Sequence, residues 1–343
     1  MKKITSIIFS CILLLGLLAA CSEKTQEDII AELGDKIKNM TGYKAEAVMS
    51  LDTGKDSQQY NVEIWHKQPS YFRVALNNAN KDQSQIILRN DEGVFVLTPA
   101  LNKSFRFQSD WPDNNSQVYL YESLVNDILM DPERTFTATD DHYIFETKTN
   151  YANKNLQQQE ITLSKKDLSP VSAKIKDVDL NVLVTVEFND FEFNPNFNDG
   201  DFDMDRNMTG AQLESLPAMA QESEEPLVPT FPMYIPDGTV LNDSKEVNLE
   251  DGEGKRIILS FTGDKNFTLI QEKSRVQQAS IPMNISSGEP VDLGFTIGAL
   301  SSEGQISSLK WSYDGVDFFL ASKDLSQEEM SSIARSVYGT HVK

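Results

Sequence analysis

Short runs in which apolar and other residues alternate recur through most of this chain, and they constrain its fold more than any other feature. In the first run, Tyr43, Ala45, Ala47, Met49 and Leu51 are each separated by a single residue. A period of two places alternate side chains on opposite faces of an extended strand. Similar runs lie at residues 60–64, 71–76, 85–89, 94–98, 103–107, 142–148, 157–163, 171–176 and 183–191. Short polar turns join most of them, which predicts one large, curved antiparallel sheet of about ten strands.

Two stretches with a helical period accompany this sheet. The first begins at Thr25 and Asp28, which form an N-terminal capping signature, and ends before Gly42. The second covers residues 117–130 and stops at Asp131, which is followed by a proline. We therefore expect two helices that cover part of the sheet.

The composition changes after residue 205, where Pro217, Pro226 and Pro229 accompany a polar, acidic stretch. Further strand-length runs lie at residues 255–261, 267–273, 291–297, 307–312 and 316–322. A final helix follows Ser326, whose capping box is completed by Glu329. The sequence thus predicts an α+β protein with a signal peptide at 1–20, the sheet domain at 21–205, a linker at 206–229 and a small α+β domain at 230–343.

The N-terminal segment is typical of an export signal. Lysines precede an apolar run at residues 7–18, which is too short for a permanent membrane span. The run ends in Leu18, Ala19, Ala20 and Cys21, which resemble the lipobox of bacterial lipoproteins. This resemblance implies cleavage between Ala20 and Cys21 and acylation of the Cys21 thiol, which would anchor the protein to the outer face of the cytoplasmic membrane. An ordinary secretory signal with an incidental cysteine and an uncleaved anchor are the alternatives.

The protein is strongly acidic, with 31 lysine and arginine residues, 52 aspartate and glutamate residues and a net charge of −21. A protein that binds nucleic acid needs a basic surface to neutralise phosphates, so the composition excludes nucleic acid as a partner. The same charge disfavours adsorption to anionic lipid head groups. Attachment to the membrane therefore has to come from acyl chains, and stable anchoring needs more than one chain.

No sequence motif indicates a familiar catalytic or cofactor site. The chain has no nucleophile elbow, phosphate-binding loop, paired-histidine zinc motif or dinucleotide fingerprint, so we expect no cofactor and no catalytic residues. His66, His142 and His341 are far apart in the sequence. Because Cys11 leaves with the signal and Cys21 takes the lipid, no cysteine remains to complete a metal site with them.

A run of aspartate and asparagine at residues 194–205 carries oxygens that are typical calcium ligands. Counted from Asn194, the sixth position is Asp199 rather than glycine, and the twelfth is Asp205 rather than glutamate. The register of an EF-hand loop therefore fails. A solvated acidic loop is the favoured interpretation, with calcium as the alternative, and we expect no metal site.

Aromatic and other apolar residues concentrate on the predicted strands of the large sheet. Such residues usually form ordinary core, but two amphipathic helices can cover a sheet of this size only in part, which favours an apolar pocket. The residues predicted to line this pocket are Val62, Ile64, Trp65, Phe72, Phe95, Phe105, Leu124 and Ile128. Its ligand would be an acyl chain or another lipid.

Part of the chain resembles a known family. The order Trp65, His66, Lys67, Gln68, Pro69, Ser70, Tyr71, Phe72 and Arg73 resembles the strand, K-x-P, aromatic and Phe-Arg pattern of the LolA-like lipoprotein carrier superfamily. Residues 97–105 with Trp111 are similar to a hairpin in its lipid-anchored members from spore-forming Gram-positive bacteria, which are described as sporulation proteins. Phe202, Asp203 and Met204 look like the end of that domain. The resemblance covers residues 25–205 and implies an incomplete β-barrel, closed by helices, with an apolar cavity for acyl chains.

Two departures from this family limit what the resemblance implies. The proteobacterial carrier has an arginine just before the proline that helps to latch its lid, whereas this chain has Gln68 there, with Lys67 adjacent. That carrier is also a soluble shuttle, whereas a protein tethered through Cys21 is poorly suited to long-range transport.

The end of the chain resembles a second family. Trp311, Asp314, Gly315 and residues 325–334 are similar to DUF4367, a small domain of unknown function found on anti-sigma factors and lipoproteins. A LolA-like domain followed by a small domain is also similar to the periplasmic regulator RseB, which binds an anti-sigma factor.

These observations lead to two functional hypotheses. The first is a non-enzymatic, lipid-anchored extracytoplasmic lipoprotein that binds an acyl chain, a lipid or a lipoprotein, in sporulation or envelope maintenance. The alternative is a regulatory sensor that binds a membrane protein, such as an anti-sigma factor. An enzyme is the third and least favoured class.

Overall fold

The computed structural model describes residues 24–52, 57–78, 84–107, 109–112, 117–149, 151, 156–214, 227–249, 254–274, 283–285 and 288–337. The chain divides into two compact units, Met1–Asn39 and Met40–Lys343. Ala20 and Cys21, the predicted cleavage and lipid-attachment residues, lie outside the described residues. Among the helices of the described part, none is both long and apolar enough to span a membrane.

The described part of the first unit contains helix α1, Gln26–Asn39. Its start is stabilised by two reciprocal hydrogen bonds. The Asp28 backbone N–H donates to Thr25 Oγ1 at 3.2 Å, and the Thr25 backbone N–H donates to Asp28 Oδ2 at 3.0 Å. Each bond satisfies a backbone donor that the start of a helix leaves free. The predicted helix is confirmed.

The second unit contains a twelve-stranded and a seven-stranded sheet. The strands are β1 (Gly42–Asp52), β2 (Ser57–Lys67), β3 (Tyr71–Asn78), β4 (Ser84–Asn90), β5 (Gly93–Thr98), β6 (Lys103–Phe107), β7 (Thr135–Ala138), β8 (His142–Lys148), β9 (Gln158–Ser164), β10 (Pro170–Lys176), β11 (Val182–Phe193), β12 (Thr239–Asn248), β13 (Lys255–Gly263), β14 (Phe267–Lys273), β15 (Met283–Ile285), β16 (Gly288–Asp292), β17 (Ile297–Glu303), β18 (Ile306–Tyr313) and β19 (Val316–Ser322). The larger sheet has the order β15-β6-β5-β4-β3-β2-β1-β11-β10-β9-β8-β7, and the smaller has β12-β13-β14-β19-β18-β17-β16.

The larger sheet is the predicted antiparallel sheet, and the predicted α+β class is confirmed. Its described strands pair antiparallel, except that β15 lies parallel to β6. The sheet is open, because β15 and β7 are its edges and do not pair with each other in the described part of the chain. The register shift between Glu46 and Ala47 leaves Asn189 of β11 as an extra residue, and this bulge bends β11. Twisted open sheets of this size generally curl.

Two helices accompany the larger sheet within the second unit: α2, Tyr121–Met130, and α3, Met204–Glu214. Helix α2 ends where the sequence predicts, since the Asp131 backbone N–H donates to the carbonyl oxygen of Asp127 at 3.2 Å. Helix α3 was not predicted and occupies the start of the segment interpreted as a linker.

The smaller sheet is followed by helix α4, Gln327–Ser336. The predicted capping box is confirmed, because the Glu329 backbone N–H donates to Ser326 Oγ at 3.2 Å and the Ser326 backbone N–H donates to Glu329 Oε2 at 2.7 Å. Leucines from the central strands form one core with α4: Leu259, Leu269, Leu309, Leu320, Met330 and Ile333.

One predicted strand of the smaller sheet is wrong. Residues 291–297 do not form a strand but span the end of β16, a turn and the first residue of β17. The turn is closed by the Leu293 backbone N–H, which donates to the carbonyl oxygen of Thr296 at 2.9 Å. Gly294 there has φ +86°, a conformation that glycine adopts without strain.

Candidate functional site

The two faces of the larger sheet differ. We call the face that carries Tyr43, Ala45, Ala47, Met49 and Leu51 the inner face, and the opposite face the outer face. All five of these β1 residues are buried. The pairing register extends the inner face across neighbouring strands through Val62, Ile64, Phe72, Val74, Ile87, Val96, Ile161, Ala173, Ile175 and Val186. The inner face is thus a broad apolar surface.

The structure brings together some of the eight predicted pocket residues. Val62, Ile64 and Phe72 are buried side by side on the inner face. Phe105 shares that face on β6 and is half-buried. Leu124 and Ile128 are fully buried on helix α2.

Trp65 and Phe95 lie on the outer face, contrary to their assignment to the same pocket. Trp65 directly follows Ile64 in β2, and adjacent residues of a strand point to opposite faces. Phe95 pairs with Leu88, which is likewise an outer-face residue. These two therefore cannot line a pocket with the inner-face residues.

Helix α3 accounts for the burial of this outer-face group. Met208 of α3 packs with the strand residues Ala75, Ile86, Leu88, Phe95 and Leu97 and with Phe202. Trp65 packs against the edge of the same group, where the Arg73 guanidinium lies 4.4 Å from the centre of its ring. The outer-face group is a packed core beneath a helix.

Helix α2 is attached to the strands by buried hydrogen bonds. Gln159, an inner-face residue of β9, donates from Nε2 to Asp127 Oδ2 at 2.6 Å. Tyr121 Oη donates to the carbonyl oxygen of Leu168 at 3.0 Å. Beyond the end of the helix, the Lys148 backbone N–H donates to Asp131 Oδ2 at 2.8 Å. These bonds attach the start of α2 to the connection between β9 and β10, and the end of α2 to β9 and β8.

A third attachment is a buried cluster of Tyr43, His66 and Glu122, which we call the His66 cluster. His66 Nδ1 lies 3.1 Å from the carbonyl oxygen of Tyr71, so Nδ1 carries a proton. His66 Nε2 lies 2.8 Å from Glu122 Oε1, a contact that also needs a proton on one of the two groups. Tyr43 Oη donates to Glu122 Oε2 at 2.9 Å. The cluster thus joins α2 to β1 and β2 through ionisable side chains.

The surroundings of Tyr43 make its hydroxyl a poor acid. Burial raises its pKa well above the ordinary value, and the charge of Glu122 raises it further. The Tyr121 backbone N–H donates to the same oxygen at 3.2 Å. Tyr43 is therefore a hydrogen-bond donor to Glu122 rather than a proton source. Sequence reasoning missed this cluster, because His66 and Glu122 are far apart in the chain.

Polar groups also occur toward the other end of the inner face. Burial raises the pKa of Tyr119 and of Tyr151, and the nearby Asp292 raises both further. Gln58 Nε2 and Thr147 Oγ1 are buried and have no hydrogen-bond partner among the described residues. The inner face is therefore apolar in its middle and partly polar at its ends.

Side chains of the acidic segment at residues 194–205 accept hydrogen bonds from backbone amides. Asn194 Oδ1 accepts the Thr41 backbone N–H at 2.7 Å, and Asp201 Oδ2 accepts the Asn198 backbone N–H at 2.9 Å. Asp203 Oδ1 accepts the Arg206 backbone N–H at 2.8 Å. Across the described ranges, no group of three or more histidine, cysteine or acidic residues is arranged to hold a metal ion.

Solved structures with low sequence identity are similar to this chain. A MucA/MucB complex from Pseudomonas aeruginosa shows 13% identity, covers 89% of this chain and 98% of that chain, and has a TM-score of 0.30. A LolA superfamily protein from Nitrosomonas europaea shows 12% identity, covers 53% and 99%, and also has a TM-score of 0.30.

Sequence comparisons are more specific. The model of the "Sporulation protein YdcC-like" family matches residues 1–202, and that of the domain of unknown function DUF4367 matches residues 230–337. Sporulation protein YdcC of Bacillus subtilis is 52% identical over 347 residues, covering 100% of both chains. Both predicted resemblances are confirmed. The chain therefore belongs to the sporulation protein YdcC-like family.

Proposed function

We propose that this protein is a non-enzymatic lipoprotein that binds an acyl chain, a lipid or a lipoprotein on the inner face of its larger sheet. It is anchored by lipid at Cys21 to the outer face of the cytoplasmic membrane. Its relative YdcC is named a sporulation protein, which supports a role in sporulation. The high negative charge supports a protein that stands away from anionic head groups.

The observation that carries this proposal is the apolar inner face itself. Its central strands present small side chains, Ala45 and Ala47 on β1 and Ala173 on β10, all of them buried. Small side chains leave volume next to the sheet, and an acyl chain can occupy this volume. Apolar walls with a few polar groups, such as Gln58 and Thr147, are typical of small-molecule sites.

Uptake of a lipid probe by the unacylated chain tests ligand binding. A Cys21→Ser protein is titrated with a fluorescent fatty acid and with a fluorescent N-palmitoyl peptide, and we expect saturable binding of at least one. Val62→Trp should abolish it, because Val62 is buried in the centre of the inner face. The matched control is Asn61→Trp, because Asn61 is exposed on the outer face of the same strand. Absence of uptake by the parent protein would refute the proposal.

Membrane attachment has a separate test. The full-length chain should fractionate with membranes and incorporate labelled palmitate, and Cys21→Ser should lose both properties. Ser22→Ala, which changes the next residue, is the control. Retention of the Cys21→Ser protein in the membrane after a salt wash would contradict lipid anchoring through this thiol.

A regulatory sensor that binds a membrane protein is the second candidate. It is favoured by β12, an edge strand of the smaller sheet that is exposed over most of its length. Val240 is 64% exposed and Leu241 40% exposed on this strand. Open edges of this kind pair readily with an extended segment of another protein. Capture of a specific membrane protein that Val240→Glu abolishes and Val62→Trp leaves intact would favour this role.

A further inference from the structure

A segment of the smaller sheet domain lies against one end of the inner face. The segment Leu293–Thr296 connects β16 to β17, and we call it the plug. Tyr60 Oη lies 2.7 Å from the carbonyl oxygen of Phe295, and the contact is buried. A Cβ atom built on Gly294 would lie 3.9 Å from Leu51 Cδ1. Because Tyr60 and Leu51 are inner-face residues, the plug covers that end of the face.

Gln85 on β4 also forms hydrogen bonds with the plug and with the first residue after it. Gln85 Oε1 accepts the Ile297 backbone N–H at 2.7 Å and the Thr296 hydroxyl at 3.0 Å. Gln85 pairs with Leu76 on β3, which places it on the inner face beside Tyr60 and Gln58. The plug is therefore held mainly through its backbone, by polar side chains at the rim of the inner face.

The side chains of the plug belong to the other core. Leu293 and Phe295 pack in the core of the smaller sheet, where the Phe295 ring lies 4.7 Å from that of Tyr313. Withdrawal of the plug would thus leave the core of the smaller sheet intact. It would break the hydrogen bonds to Tyr60 and Gln85, which water can replace, and such bonds contribute little net free energy.

Two further described contacts join the smaller sheet domain to the larger sheet at one of its edges. Lys103 on β6 forms an ion pair with Asp317 on β19. The three residues of β15 pair with Phe105, Arg106 and Phe107 at the edge of the larger sheet. Both contacts lie at the β6 edge of the larger sheet. The smaller sheet domain can therefore rotate about this edge as the plug moves away from the inner face.

We propose that the plug is a displaceable gate, which closes the Tyr60 and Gln85 end of the inner face and withdraws when the ligand enters. This inference rests on the proposed lipid-binding function. It assigns the smaller sheet domain a role in controlling access.

The rate of probe uptake tests this gate. The double variant Tyr60→Phe, Gln85→Leu removes the groups that hold the plug, and we expect it to take up the N-palmitoyl peptide about tenfold faster, which corresponds to about 1.4 kcal/mol. Gln59→Leu, an exposed change on the outer face of β2, should leave the rate unchanged. Uptake at equal rates by all three proteins would overturn the gate and leave the proposed function standing. Absence of uptake by all three would overturn the proposed function and the gate with it.

Hydrogen exchange in the parent protein gives a readout that does not depend on these variants. The Ile297 amide is bonded to Gln85, so it should exchange slowly in the free protein and faster when the probe saturates the site. Amides of α4 serve as the internal control and should not change. Unchanged exchange across residues 293–297 at saturating probe would overturn the gate.

Discussion

The His66 cluster allows a prediction that separates charge from hydrogen bonding. Glu122→Ala removes the acceptor of both His66 Nε2 and Tyr43 Oη, leaving two buried polar groups without a partner. Leaving a buried donor or acceptor unsatisfied typically costs about 1–3 kcal/mol for each group. The Glu122 side chain keeps 17% exposure, so water can relieve part of the loss. For two such groups we therefore expect a destabilisation of about 3 kcal/mol.

Glu122→Gln should behave differently, because the amide can satisfy both neighbours. Its oxygen can accept from Tyr43, and its NH₂ can donate to His66 Nε2 when the imidazole is neutral and protonated on Nδ1, as its contact with the Tyr71 carbonyl requires. All the hydrogen bonds of the cluster are then kept. We expect a loss of less than about 1 kcal/mol, since no buried polar group of the cluster loses its partner.

Urea unfolding followed by tryptophan fluorescence measures these differences. Trp111 reports on the cluster, because its ring lies 5.9 Å from that of Phe72, which stacks on His66 at 4.3 Å. Glu46→Ala, at an exposed site on the outer face of β1, should change the free energy of unfolding by less than about 0.5 kcal/mol. Equal destabilisation by Glu122→Ala and Glu122→Gln would refute the argument that the amide keeps the hydrogen bonds of the cluster. An unchanged free energy of unfolding in Glu122→Ala would refute the stabilising role of the cluster.

Three further predictions concern packing, pH and capping. Phe95→Ala should destabilise the protein by about 3–5 kcal/mol in urea unfolding, because it empties the core beneath α3, yet binding of the lipid probe should persist because Phe95 faces away from the inner face. Burial raises the pKa of Asp292, although the charge of Arg335 opposes this shift, so the folded state binds that proton more tightly than the unfolded state and loses stability as pH rises through the folded pKa. Thermal melts from pH 4 to 8 should therefore show Asp292→Asn gaining over the parent protein as pH rises, and a constant difference would contradict this sign. Ser326→Ala should cost about 1 kcal/mol by removing the cap of α4, whereas Ser326→Asp should retain most of that stability in the same unfolding assay.

The positions of most strands could be predicted from the alternation of residue types. Runs such as β6, β8, β14 and β19 have the bounds that the sequence indicates. The two faces of the sheet were assigned less well. The pocket residues were selected because they are aromatic or apolar, and not by which of the two alternating sets of a strand they belong to. Ile64 and Trp65 are consecutive and cannot share a face. For Phe95 the alternation of residue types does not identify the face. Its neighbours Val94 and Val96 are equally buried, because β5 is covered on both sides.

Other features lack a local sequence signal. Helix α3 carries few apolar residues, chiefly Met204, Met208 and Ala211, so its helical period is weak. Residues 291–295 resemble a strand because Val291, Leu293 and Phe295 alternate with other residues, and all three belong to one core. The chain nevertheless turns at Gly294, and the contacts that hold it come from Tyr60 and Gln85, more than 200 residues earlier. Such long-range contacts cannot be read from a single sequence.

The alternation of faces also describes the end of β2. Position 68 lies just beyond the end of β2, and the Gln68 backbone N–H donates to the carbonyl oxygen of Thr41 at 2.9 Å. Lys67 shares the outer face with Trp65, and its Nζ lies 5.8 Å from the centre of the Tyr71 ring. His66 is two residues after Ile64 and therefore lies on the same inner face, where it contacts Glu122 at the start of α2. The end of β2 is therefore attached to the start of α2 through His66.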